Sequence, residues 1–77
     1  MNELTLTAIY EEAAEGGYIG YVAELPGANT QGETMEEVRE NLQEAVRLTL
    51  ETRRDEAEKR IVGKLNVQRE SLLLRAA

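Results

Sequence analysis

The sequence has no cysteine and no histidine. Without cysteine there is no disulfide and no thiolate-bound metal, which suits a reducing cytosol. With both types missing, the commonest general base and the best thiolate nucleophile are absent. The lone serine, Ser71, has no base near it in the chain. No apolar run approaches the ~20 residues of a membrane span, and Met1 to Leu6 lacks the basic start and apolar core of a signal peptide. The expected location is therefore cytoplasmic. There is one proline, Pro26, and no linker long enough to separate domains.

Basic residues are absent from the first half. Residues 1 to 38 contain eight Glu and no Lys or Arg, a charge of −8. The rest holds all nine basic side chains against seven acidic ones, +2, which together give the net −6. An acidic half repels phosphate backbones and favours a basic protein partner; it also keeps a small protein in solution. A chain of 77 residues is one domain, 1–77. At this size only about 60% of the unfolded surface is buried, so the core is thin and self-assembly is expected.

What is present reads as an α+β domain. "ELTLTAIY", from Glu3 to Tyr10, alternates with Leu4, Leu6, Ala8 and Tyr10 on one side, the pattern of a strand. "EEAAEGG" is a turn region. "YIGYVAEL" is a second strand with two apolar rows, Ile19/Tyr21/Ala23/Leu25 and Tyr18/Gly20/Val22. One helix covers one face only, so the Tyr18–Val22 row is expected to serve another protein. Leu25-Pro26-Gly27-Ala28 fits a type II turn, with proline presetting φ and Gly27 supplying the positive φ that follows. Asn29 to Glu33 is a short returning strand. Thr34-x-x-Glu37 is a capping box with Thr34 as N-cap. Behind it Met35, Val38, Leu42, Ala45, Val46, Thr49 and Leu50 keep one helical stripe. Asp55/Lys59 and Glu56/Arg60 are acid-before-base pairs at i,i+4 that favour continuation, so the helix end is expected between Arg54 and Val62, with Gly63 as a stop signal. "KLNVQRESLLL" reads as a fourth strand. The order β-β-β-α-β, with a right-handed crossover, predicts a three-stranded antiparallel meander and a sheet order of 3-2-1-4, the helix lying on one face.

Two candidate sites fail on their chemistry. Gly27-x-x-x-x-Gly32 followed by Thr34 has the spacing of a phosphate loop, but Glu33 stands where the lysine is needed and Gly27 belongs to a strand-to-strand turn. Glu11, Glu12, Glu15 and Glu24 could cluster around magnesium, yet nothing marks them as buried or paired, and they read as a solvated rim. No catalytic residue, metal ligand or cofactor site is assigned. Arg53, Arg54, Lys59 and Arg60 alternate with Asp55, Glu56 and Glu58, a mixed-sign solvated face.

The stretch "GGYIGYVAELPGANTQGETMEEVRENLQEAVRLTL" resembles the HicB family of antitoxins. Gly17, Tyr18, Leu25, Pro26, Gly27, Gly32, Thr34 and Glu37 carry the match, and Leu42 and Ala45 continue it; the spacer from Thr52 to Gly63 departs from it in lacking a frequent proline. The resemblance implies a partly degraded RNase H-like fold and an antitoxin that binds a small basic HicA-type toxin, an mRNA-cutting ribonuclease, and covers its active site. Longer members add a C-terminal DNA-binding module, and no direct DNA binding is expected here. On this reading Tyr18, Tyr21, Glu24, Pro26 and Asn29 contact the partner, while Gly17, Gly27, Gly32, Thr34 and Glu37 shape the motif. Two other functions fit the same residues: an orphan homo-oligomeric interaction domain without a toxin, and a metal-dependent RNase H-like nuclease.

Overall fold

The computed structural model describes residues 5–74. Three strands, β1 (Ala8–Glu12), β2 (Tyr18–Val22) and β3 (Asn29–Gly32), precede one helix, α1 (Met35–Ile61). The strands form an antiparallel meander in the order β1-β2-β3, with Tyr10 opposite Gly20 and Tyr21 opposite Asn29. The helix lies on one face, and the molecule is only 16 Å across its thinnest axis. That thickness admits two layers, so among the described residues nothing covers the second sheet face.

The local signals account for the elements. Ala28 N–H donates to the Leu25 carbonyl (3.1 Å), and Gly27 between them has φ 99°, closing the Pro-Gly turn as expected. Glu37 N–H donates to Thr34 Oγ1 at 3.0 Å, which satisfies one of the four orphan donors of the helix start. The Glu37 carboxylate reaches back to the N–H of Glu33 (2.7 Å), one residue earlier than the usual reciprocal contact of a capping box. The helix ends at Ile61, inside the expected interval. The first strand starts later and runs further than the alternation from Glu3 to Tyr10 implies, over Ala8–Glu12; the first two residues of that expectation, Glu3 and Leu4, lie outside the described residues. Its line is still continued by Ala23 N–H, which donates to the Thr7 carbonyl (2.9 Å).

Two expectations are corrected. The first concerns the faces of β2. The row Tyr18/Gly20/Val22 turns toward the helix, and Ile19 and Tyr21 form the bare row. Gly20 decides this: a Cβ there would lie 3.1 Å from Val38 Cγ2 and from the Tyr10 ring. Gly32 does the same on β3, where a Cβ would meet Val38 N at 2.8 Å. Glycines at these two points let the helix backbone settle onto the sheet. The core is accordingly compact and small: Val22, Ala28 and Leu42, with Val38 wholly buried, and Tyr10, Leu25, Ala45 and Val46 packed around them.

The second concerns residues 64–74, which form no strand, so among the described residues the sheet is three-stranded and the order 3-2-1-4 is not completed. The helix continues eleven residues past Leu50, about 16 Å at its rise per residue, and carries the chain beyond the end of the sheet. Lys64 N–H then closes on the Ile61 carbonyl (3.0 Å) with Gly63 at φ 79° and Asn66 at φ 62°. Arg69 pairs with Glu58 at 2.8 Å, which holds the following segment beside the helix instead of at a strand edge.

Candidate functional site

The helix backbone packs on β3 and β2 and meets β1 through side chains, with Arg39 over the Tyr10 ring and Tyr10 against the cluster of Leu42. Asn41 Nδ2 donates to the Gln31 carbonyl (2.9 Å), drawing the helix toward the β3 side. Two surfaces follow from this placement. One is the bare sheet face. The other is an open groove of about 570 Å³ between β1 and the helix, lined mainly by apolar groups such as Leu6, Ala8, Tyr10, Val46 and Leu50.

The bare face is built from the odd-numbered residues of the strands. Ile9 and Glu11 come from β1, Ile19 and Tyr21 from β2, Asn29 and Gln31 from β3. Tyr21 Oη donates to the Glu11 carboxylate (2.9 Å), a diagonal cross-strand pair that fixes an aromatic ring beside a negative charge. That hydrogen bond and then the Glu11 charge raise the Tyr21 pKa above its ordinary value. Ile19 beside them is 38% exposed. A shallow depression runs from Ile19 and Tyr21 to Asn29 and Gln31. The face is therefore apolar at its centre and acidic on the β1 side, with a hydrogen-bonding rim on β3.

Only part of the residue set named from the sequence comes together there. Tyr21 and Asn29 are opposite one another. Tyr18 sits half-buried on the helix side, in a polar hollow with Gly17, Gly32, Glu33 and Glu37. Glu24 lies beyond the end of β2, where it accepts from Thr7 N–H (2.7 Å) and Thr7 Oγ1 (2.6 Å). Pro26 offers its carbonyl to Arg53 Nη2 (2.6 Å), which ties the turn to the helix. Gly27, Thr34 and Glu37 hold the turn and the helix start as described. The contact set expected from the sequence leaves out Ile19, although it shares the row of Tyr21, and Glu11 and Gln31, which strand parity places on the same face. Among the described residues no three acidic groups gather where a metal ion could bind. Nor is any helix long and apolar enough to cross a membrane.

Glu24 supplies a pH test of the lower edge of the sheet. The Thr7 hydroxyl, and after it the Thr7 N–H, hold its carboxyl below the usual glutamate value. With the folded pKa depressed, the contact supports folding above the ordinary glutamate pKa of about 4.3 and loses that support as pH falls through the folded value. In a Thr7→Val variant the Glu24 side-chain carboxyl, followed by ¹³C NMR titration, is expected to move its midpoint upward. An unmoved midpoint means that the hydroxyl does not hold the charge.

The profile of the family described as UPF0150-like matches residues 4–55, a span that takes in all three strands, the Pro-Gly turn and the packed part of the helix. The chain belongs to the UPF0150-like family. A UPF0150 protein of Synechocystis sp. is 48% identical over 48 residues, 62% of this chain and 67% of that protein. One from Thermotoga maritima is 45% identical over 51 residues, 65% of this chain and 68% of that protein. A further Synechocystis sp. UPF0150 protein is 33% identical over 63 residues, 82% of this chain and 91% of that protein. No solved structure matches the chain significantly. The family match stops at residue 55, close to where the helix leaves the sheet; the shared unit is the sheet with its packed helix.

Proposed function

We propose that this UPF0150-like chain is an antitoxin-like protein of the cytoplasm that binds a small basic HicA-type ribonuclease and neutralises it by covering its RNA-cleaving face. The observation that carries the reading is the bare sheet face, where Ile19 and Tyr21 lie uncovered beside Glu11. Its chemistry suits a cationic protein surface: an aromatic ring and apolar centre for contact area, carboxylates for attraction and orientation. The −8 charge of residues 1 to 38 adds long-range steering toward such a partner. The likeness of residues 16–50 to HicB antitoxins supplies the partner class, and the RNase H-like ancestry of the fold comes with that likeness. The contact residues in this reading are Tyr21, Asn29, Glu11 and Ile19. Tyr18, Glu24 and Pro26 lie off the face and act through the turns and ends they hold. The chemistry is steric and electrostatic, with no cofactor and no DNA contact.

Co-expression with the product of the neighbouring gene, followed by pull-down and an RNA-cleavage assay, tests it. Complex formation with loss of cleavage is expected. Tyr21→Ala should weaken binding by roughly 30-fold, the scale of a central aromatic contact, and restore cleavage. If the neighbour is neither bound nor restrained, the orphan interaction domain is the better description.

A further inference from the structure

We infer that the free edge of β1 pairs with the same edge of a second copy, across a twofold axis at Tyr10, so that two three-stranded sheets become one of six strands. The inference is independent of the antitoxin reading. The axis runs perpendicular to the sheet, both helices fall on one side of it, and the Tyr21 face of each copy stays free.

The outer edge of β1 carries a row of unpaired backbone groups. In an antiparallel ladder the residues of a strand turn their N–H and C=O groups alternately to one neighbour and to the other. Ala23 N–H donates to the Thr7 carbonyl (2.9 Å) and Ala13 N–H to the Gly17 carbonyl (2.9 Å), in the same register that sets Ile9 opposite Tyr21 and Glu11 opposite Ile19. The odd-numbered residues therefore bond to β2. Ala8, Tyr10 and Glu12 turn theirs outward, where no strand lies among the described residues. Such an edge is a template for another strand. The opposite edge, on β3, is shorter and polar, and Asn41 already donates to its Gln31 carbonyl.

Charge selects the occupant. The groove beside this edge has an apolar floor and a helix rim of Arg39, Gln43 and Arg47, which suits a strand that is apolar with an acidic end. The sequence of β1 itself, AIYEE, is of that kind. The segment after Gly63 is not, because it holds Lys64, Arg69 and Arg75 against Glu70 alone.

Charge and length also select the register. The bonded line of β1 runs from Thr7 to Ala13, and its midpoint is Tyr10. Centred there, Ala8 faces Glu12 of the second copy and Ile9 faces its Glu11, so no carboxylate opposes another. Centring on Glu11 would set two carboxylates face to face, and centring on Ile9 would pair only Thr7 to Glu11. The even-numbered residues lie on the helix side. Gly20, opposite Tyr10, lies against Val38, and Val22, opposite Ala8, packs with Leu42. Ala8 is thus level with Gln43, and the second copy's Glu12 arrives between Arg39 and Arg47. Arg47 also holds Glu44 of its own helix at 3.2 Å; that pair is exposed, and a guanidinium has donors enough for both carboxylates. The twofold repeats the contact, giving each groove the strand that its open side lacks.

The absence of native cysteine gives a clean test. Ile9 and Glu11 of facing copies form a non-hydrogen-bonded pair with Cα atoms about 4.5 Å apart, within the span of a disulfide. Two copies of the same single variant place their cysteines on a diagonal instead, about 7–8 Å apart. When full-length Ile9→Cys and Glu11→Cys chains are mixed and mildly oxidised, a reducible dimer holding one of each is expected on a denaturing gel, well above the yield from either variant alone. No cross-link, or equal yields from the mixture and the single variants, overturns the inference. Light scattering supplies the second measurement. The native chain should scatter as a dimer, and Glu12→Lys, at an exposed position, should raise the dimer Kd by roughly tenfold or more with circular dichroism unchanged. A native chain that stays monomeric, as it would with its own C-terminal segment or a different protein on this edge, overturns the inference, and so does a Glu12→Lys dimer of native strength.

Discussion

Replacing Gly32 by alanine is expected to lower the melting temperature by roughly 12–24 °C, the shift that corresponds to about 3 kcal/mol in a domain of this size. The added methyl would sit 2.8 Å from Val38 N, 3.0 Å from Val38 Cα and 3.2 Å from the Glu37 carbonyl carbon. All three atoms are backbone, in the first turn of the helix, so no side chain can rotate away. Either β3 or the helix start has to shift, and Thr34, Glu37 and Asn41 all tie those two elements together. The comparison variant is Gly27→Ala. Its Cβ has room, with Thr49 and Arg53 no nearer than 3.8 Å, and its cost is the positive φ alone, about 1–2 kcal/mol. Thermal unfolding of the two variants measures the difference. Equal effects would mean that close approach of the helix is not what Gly32 provides.

Leu42→Ala should cost about 2–5 kcal/mol, the range for a buried leucine truncated in a well-packed core. Leu42 is 3% exposed and meets Val22 and Ala28. The expected total stability is about 4–12 kcal/mol for a chain this long, so one substitution removes a large share of it. Redundancy is lacking because four buried apolar residues, on one side of one sheet, make up the described core. Leu48→Ala, at a position 53% exposed, should change stability by less than about 0.5 kcal/mol. Urea unfolding monitored by circular dichroism resolves the two, and a Leu42 effect as small as that of Leu48 would contradict the packing described.

The elements that depend on neighbours in sequence were legible. Pro26-Gly27 needs only its own φ values, and Thr34 needs only Glu37. The helical stripe from Met35 to Leu50 is likewise a local period. What the strand pattern left open was which apolar row of β2 the helix would cover, since both rows are hydrophobic. The deciding residue was present in the sequence: Gly20, at mid-strand, marks where another backbone comes close, and with Gly32 it selects the Tyr18/Val22 row. Reading it so would have moved attention from Tyr18 to Ile19 and Glu11. The segment after Gly63 failed for another reason. Its composition resembles a strand, but a strand exists only with an edge to pair to, and the distance the helix travels before releasing the chain is set by charged residues that carry no tertiary signal. The resemblance to HicB antitoxins rested on the motif between Gly17 and Glu37, whose glycines and turn residues are constrained by backbone geometry, and its continuation at Leu42 and Ala45; membership of the UPF0150-like family came from the family match.

The helix, lastly, is two objects joined end to end. Up to Leu50 it rests on the sheet; residues 51–60 are exposed and, apart from the Arg53 bond to the Pro26 carbonyl and the Glu58–Arg69 pair, have propensity and neighbouring charges to keep them wound. Isolated helical stretches that short are marginal in water. Warming therefore unravels the molecule from its far tip inward, and amide deuteration would sweep through Asp55–Ile61 long before reaching the amide of Leu42.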